Sequence, residues 1–266
     1  MEKMLIALSL IFILFTYWLV VRIAVSRRLF NPDRNWCTPA QADEPRFVEK
    51  QIKTSDGQMR TVWYSAGKKG KPAILYLHGN FYSVATFAFI FRPFLDAGFP
   101  VCIAEYRGFD KTGGRPSEQG LNIDAHAAYD FLKSAGHKNI VIHGCSLGTS
   151  VAARLASDLE SAGTPPFALI LESPFYSLLA MCPKLPLLRL FLGHKFATNK
   201  YVKNIKSPKV LLMHGVMDSL VGVDQGTRLF GEITADKKLL HLIPTGRHEL
   251  FAAGSLEYAV KWLSKK

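Results

Sequence analysis

Six short apolar runs recur between residues 73 and 243 of this 266-residue chain, separated by longer amphipathic stretches. The runs are Ala73–Leu77, Val101–Ala104, Asn139–His143, Ala168–Leu171, Lys209–Met213 and Leu239–Ile243. Each is nearly continuous in its apolarity, as strands of a parallel sheet must be when helices cover both faces. Between them, Ser83–Ala97, Ser117–Ala135, Leu147–Ala162, Val223–Glu232 and His248–Leu263 carry helical periodicity or helix-start residues. Strand alternating with helix implies an α/β domain, with a mostly parallel sheet between two helical layers. An antiparallel hairpin precedes it, since Arg46–Thr54 and Met59–Ser65 are β-rich runs flanking Ser55, Asp56 and Gly57.

Two segments stand outside this rhythm. Residues 173–207 are too long for an ordinary connection and are expected to form a small cap insertion. Within them, Lys184–Phe196 sets leucines and phenylalanines among basic residues, which suits a short amphipathic helix at a membrane interface, over a site or against the domain surface. The other segment is Met4–Val21, an uncharged stretch of 18 residues that as a helix covers about 27 Å. Ile23, Ala24 and Val25 extend it if Arg22 snorkels, and Tyr17 and Trp18 supply interfacial aromatics.

Residues 1–30 are therefore expected to be a membrane anchor, 31–45 a Pro/Asn/Asp-rich linker, and 46–266 the folded domain. A cleaved signal peptide is the alternative. Ala24 and Ser26 have suitable spacing for it, whereas Arg22, Arg27 and Arg28 fit it poorly. Those arginines outnumber the charges before the segment and place the domain on the cytoplasmic side. The net charge of +12 would attract any polyanion. No basic strip with interleaved aromatics appears, so the expected partner is a membrane and not nucleic acid. Cys37, Cys102, Cys145 and Cys182 lack both zinc-ligand spacing and a disulfide framework, and no phosphate loop is present, so no metal or cofactor is expected.

Gly144-Cys145-Ser146-Leu147-Gly148 forms a G-x-S-x-G pentapeptide directly after the apolar run that ends at His143, and it opens a helical stretch. Strand, sharp turn and helix are what a nucleophile elbow needs in order to lift a serine oxygen above a sheet. A serine hydroxyl requires a base, and the base an orienting acid. Asp218 follows the run Val210–His214, and His248 follows the run Leu239–Ile243, so both lie past the carboxyl ends of strands. Open α/β sheets build their sites at that edge, and the order Ser146, Asp218, His248 is that of an α/β-hydrolase triad. Glu172 is a rival acid, and His78, His143, His214 and His241 are further histidines within strands or at their ends. The Leu147 N–H is one candidate oxyanion donor, and the Asn80 N–H, in the turn His78-Gly79-Asn80, is the other. Phe81 and Tyr82 beyond that turn, with Phe175 and Tyr176 beyond Glu172, are the candidate substrate-binding residues.

The motifs LYLHGN (75–80), AEYRGF (104–109), HGCSLG (143–148), LESPF (171–175), LLMHGVMD (211–218) and GRHE (246–249) together resemble the α/β-hydrolase superfamily. Within it the chain is similar to the Bem46-like branch, which includes the abhydrolase-domain 12, 13 and 17 proteins. The resemblance implies an α/β-hydrolase fold and a serine hydrolase cleaving ester or thioester bonds through an acyl-enzyme, on a fatty acyl or lipid substrate at a membrane. A small-ester carboxylesterase or peptidase would use the same three residues, and a noncatalytic binding protein on this scaffold is a further reading.

Overall fold

The computed structural model describes residues 2–32, 36–81, 83–109, 111–181 and 193–265. Strands β1 (Val48–Lys53) and β2 (Met59–Ser65) form the expected hairpin. Its turn is closed by the Thr54 N–H donating to Gln58 O at 2.9 Å, with Gly57 at φ 81°. Then come β3 (Ala73–Leu77), β4 (Val101–Ala104), β5 (Ile140–Cys145), β6 (Ala168–Glu172), β7 (Lys209–Gly215) and β8 (Lys238–Ile243). They make one eight-stranded sheet in the order β1-β2-β4-β3-β5-β6-β7-β8. Only the pairings of β2 with β1 and with β4 are antiparallel. Strands β3 to β8 run parallel, so their carboxyl ends share one edge.

Successive side chains on each buried strand serve opposite layers. Leu75, Leu77, Ile142, Leu169, Leu171 and Leu212 enter one core, together with α4 (Glu118–Ser134) and α5 (Leu147–Ser161). Ile74, Tyr76, Val141, Ile170, Leu211 and Met213 enter the other, with α2 (Val84–Phe87), α3 (Arg92–Asp96) and α8 (Ser255–Ser264). Two cores on two faces are the physical reason these runs show no alternation in sequence. Helix α4 starts at Ser117, whose hydroxyl accepts the Gly120 N–H at 3.0 Å. Helices α6 (Thr198–Tyr201) and α7 (Val223–Glu232) complete the domain.

Two helices expected as continuous are interrupted. Residues 83–97 form α2, a 3₁₀ turn (Ala88–Phe91) and α3. Pro93 sits in the first turn of α3, where its missing N–H costs nothing. Further along a helix begun at Val84, its ring would meet the carbonyl four residues back. The last helix starts at Ser255 and not at His248, after a 3₁₀ turn over Leu250–Ala253. Gly254, at φ 79°, separates the two.

Helix α1 (Glu2–Leu29) contains Lys3–Ala24, the one segment of 22 residues among the described residues that is long and apolar enough to cross a membrane, at about 33 Å. Its side chains, including Leu5, Phe12, Leu14 and Tyr17, lie exposed instead of covering a core. The segment after it is no extended linker. Phe30 and Phe47 are buried, Trp36 meets Trp63 edge-on at 5.9 Å, and the buried Glu44 accepts two hydrogen bonds from Arg46, at 2.6 and 2.7 Å. Of the expected cap, residues 173–181 and 193–207 are described, while most of the predicted helix Lys184–Phe196, with Cys182, lies outside the described residues.

Candidate active site

Ser146 joins β5 to α5 with φ 49° and ψ −117°, a backbone conformation that disfavours any residue with a side chain. Its surroundings hold it there. The Ser146 N–H donates to Glu172 O at 2.9 Å, and the Ser146 carbonyl accepts from the N–H of Thr149 at 2.9 Å and from its hydroxyl at 2.5 Å. The flanking glycines are a steric requirement. A Cβ on Gly148 would lie 2.0 Å from Leu77 O, and one on Gly144 would lie 2.3 Å from Gly148 O. The chain thus packs backbone against backbone on either side of the serine, leaving its side chain free to project above the carboxyl edge of the sheet.

His248 Nε2 is 2.9 Å from Ser146 Oγ, and His248 Nδ1 is 2.8 Å from Asp218 Oδ2. Residues 102 positions apart in the chain are therefore in direct hydrogen-bond contact. The loops that carry Asp218 and His248 are zipped together, with the Val216 N–H on Ile243 O and the Met217 N–H on Gly246 O, each at 3.0 Å. Gly215 makes this possible, because a Cβ there would lie 2.2 Å from Gly246 O. With Nδ1–H facing the carboxylate, Nε2 is left as acceptor toward the serine hydroxyl.

Asp218 is buried at the carboxyl edge. Its Oδ1 accepts the N–H groups of Leu220 and Val221, both at 2.9 Å, and its Oδ2 lies 3.5 Å from His214 Nε2. Burial pushes its pKa up, but the hydrogen bonds from His214, His248 and the Val221 N–H outweigh it and hold the carboxyl well below the usual range. An ionised Asp218 orients the imidazole and would favour its protonated form.

The turn His78-Gly79-Asn80, at the end of β3, lies against the serine. A Cβ on Gly79 would be 3.4 Å from Ser146 Cβ. Among the described residues neither of the expected donors, the Asn80 and Leu147 backbone N–H groups, has a protein acceptor. The Asn80 side chain is engaged elsewhere, accepting the Asn31 N–H at 3.3 Å.

The rival groups are committed to other contacts. Glu172 is buried and bonded to His143 Nε2 at 2.9 Å and to the Ser255 hydroxyl at 2.9 Å. His78 pairs with Glu105 at 2.8 Å, and His241 stacks on Tyr258 at 3.6 Å. Cys145 is no competing nucleophile, since burial and the nearby Glu172 charge push its thiol well up. Sequence reasoning missed Ser173, which has φ 50° and whose hydroxyl donates to the His248 carbonyl at 2.9 Å, and it missed the part His214 plays beside Asp218. Neither residue carries a local signal. Ser173 belongs to the LESPF stretch only by resemblance, and His214 looks like a strand-end histidine.

Of the candidate substrate-binding residues, Phe81 is exposed beside the turn and Tyr82 lies outside the described residues. Phe175 and Tyr176 are buried, the latter with its hydroxyl 3.0 Å from Glu232 and its ring under Arg228 at 3.8 Å. Tyr176 also lines a large cleft with Glu118, Arg154, Lys195, Tyr201 and Arg228. None of the three hydrogen-bonded side chains lines that cleft. Among the described residues no group of three or more His, Cys, Asp or Glu side chains is placed to hold a metal ion.

A mostly parallel eight-stranded sheet with a positive-φ serine between its fifth strand and the following helix is the architecture of the α/β-hydrolase class. The model of the α/β hydrolase fold family matches residues 72–199. Lysophosphatidylserine lipase ABHD12 of Danio rerio is 33% identical over 203 residues, covering 67% of this chain and 52% of that protein. An uncharacterised Mycobacterium tuberculosis protein is 31% identical over 233 residues, covering 84% of this chain and 80% of that one. The solved esterase Pf2001 of Pyrococcus furiosus superposes with a TM-score of 0.71 at 22% identity, covering 88% of this chain and 96% of that one. The chain belongs to the α/β-hydrolase family and is similar within it to the abhydrolase-domain 12 proteins. It spans about half, 52%, of the length of the lipase it matches.

Proposed function

We propose that this chain is a serine hydrolase that cleaves carboxylic ester or thioester bonds, acting on a fatty acyl or lipid substrate held at a membrane by its N-terminal helix. The observation that carries the reading is the unbroken line from Ser146 Oγ through His248, at 2.9 Å, to Asp218, at 2.8 Å. His248 takes the hydroxyl proton as Ser146 Oγ attacks the acyl carbonyl, and Asp218 holds the imidazole in the required tautomer. The N–H groups of Leu147 and Asn80 receive the oxyanion, a contribution of about 3 kcal/mol for each donor. The imidazolium returns its proton to the leaving alcohol or thiol. A water activated by the same imidazole then releases the fatty acid and restores the serine.

A lipid substrate is supported by the similarity to the lysophosphatidylserine lipase of Danio rerio and by the apolar span Lys3–Ala24. The test is hydrolysis of p-nitrophenyl esters of graded chain length by the full chain in detergent. Wild type is expected to turn over long acyl chains, and Ser146→Ala to lose about 10⁴-fold or more in kcat. Activity that collapses as the acyl chain lengthens would favour a small-ester enzyme, and equal rates for wild type and variant would remove Ser146 from the chemistry.

A further inference from the structure

Three loops border the proposed site, those of Asn80, Asp218 and His248, and large exposed apolar residues lie on or beside each. Beyond Asn80 stands Phe81, 51% exposed. Around Asp218 stand Val216, Met217 and Leu220, at 47, 55 and 55%. Beyond His248, Phe251 pairs edge-on at 6.3 Å with Phe89, itself 45% exposed. Scattered surface hydrophobics need no explanation, but exposed apolar residues beside three of the loops at one sheet edge make an apolar rim that water does not favour.

The root of α1 reaches the same edge. Asn31, two residues past the helix, donates its N–H to Asn80 Oδ1 at 3.3 Å. Phe30 is buried against Phe196 and His194, with ring centroids 6.1 and 5.3 Å away. Arg22, over the Trp18 ring at 5.0 Å, lies 3.2 Å from where a Gly193 Cβ would be. The apolar span therefore does not hang on a free tether, and its exit is packed beside the oxyanion turn.

We propose that this rim rests on the surface of the lipid bilayer, held there by the docked root of α1, so that an acyl chain passes from the membrane to Ser146 without crossing water. The occupant is a bilayer because Asn31, bonded to the rim's own loop, lies two residues past the helix that carries the apolar span Lys3–Ala24. Phe81, Phe89, Val216, Met217 and Leu220 are then seated at the depth where interfacial side chains reside. The inference rests on the membrane reading of α1 given above.

The test uses the full chain in nanodiscs of phosphatidylcholine bearing a radiolabelled acyl chain. The photo-crosslinker p-benzoylphenylalanine is placed at Met217 or, as control, at Lys138, which is exposed just before β5 at the opposite edge. Labelled lipid is expected on the Met217 protein and not on the Lys138 protein. A crosslinked dimer without lipid at Met217, no crosslink there, or equal lipid labelling at both positions would overturn the proposal. A second measurement covers poor incorporation: the Phe89→Ser variant should hydrolyse a bilayer-held long-chain substrate about ten-fold more slowly. Its rate on a soluble short-chain ester should stay within about two-fold, and equal rates on both substrates would contradict the rim. Fluorophosphonate labelling of Ser146 in the same nanodiscs separates the two claims. Labelling with no lipid crosslink sinks the rim alone, and lipid crosslinking with no labelling sinks the proposed hydrolase alone.

Discussion

Ser146 is held at φ 49° by contacts that leave no room for side chains on either flank. Gly148→Ala is the direct check, because its methyl would have to displace the Leu77 carbonyl of a central strand. A loss of about 3 kcal/mol in urea denaturation is expected, with loss of activity, whereas a variant of unchanged stability would refute the steric account. At Asp218 the linkage has a definite sign. Its folded pKa lies below the ordinary carboxyl value of about 3.9, so its contribution to stability is complete above that value and fades as pH falls through the folded one. The part of the stability gap between wild type and Asp218→Asn that comes from this carboxylate should therefore shrink as pH falls below about 4. A gap that widened below about pH 4 would contradict this. The same variant should lose about 10⁴-fold in kcat, since an amide can hold the wrong tautomer. The three hydrogen-bonded side chains were legible in the sequence because strand ends fix where Ser146, Asp218 and His248 emerge. Ser173 and His214 were not, since their contacts arise from loops meeting in space.

Among the elements, the parallel strands were readable because burial on two faces leaves an unmixed apolar run. Helices were harder. Pro93 and Gly254 interrupt two stretches whose periodicity alone suggested continuity. Residues 31–45 look like a linker by composition, yet within them Trp36 meets Trp63 and Glu44 is buried, and Phe30 and Phe47 on either flank are buried as well. That packing gives a prediction at this scale. Phe30→Ala, which removes a ring only 5% exposed, should destabilise the domain by about 3 kcal/mol in denaturant titration. No change would mean that the root of α1 is not docked.

The molecule as a whole combines a sheet edge where three loops meet, a net charge of +12 and an apolar helix whose exit is packed beside the candidate site. The charge favours anionic surfaces at long range, while the helix and the rim act at contact. All of this matters to function only if the carboxyl edge holds a working nucleophile. The most direct measurement is the rate at which a fluorophosphonate modifies the intact chain, with the adduct located by peptide mass spectrometry, for wild type and His248→Ala. A single adduct on Ser146 is expected, forming at least about 10³-fold more slowly in the variant. An adduct on another residue, or equal rates at Ser146 with and without the imidazole, would contradict the account.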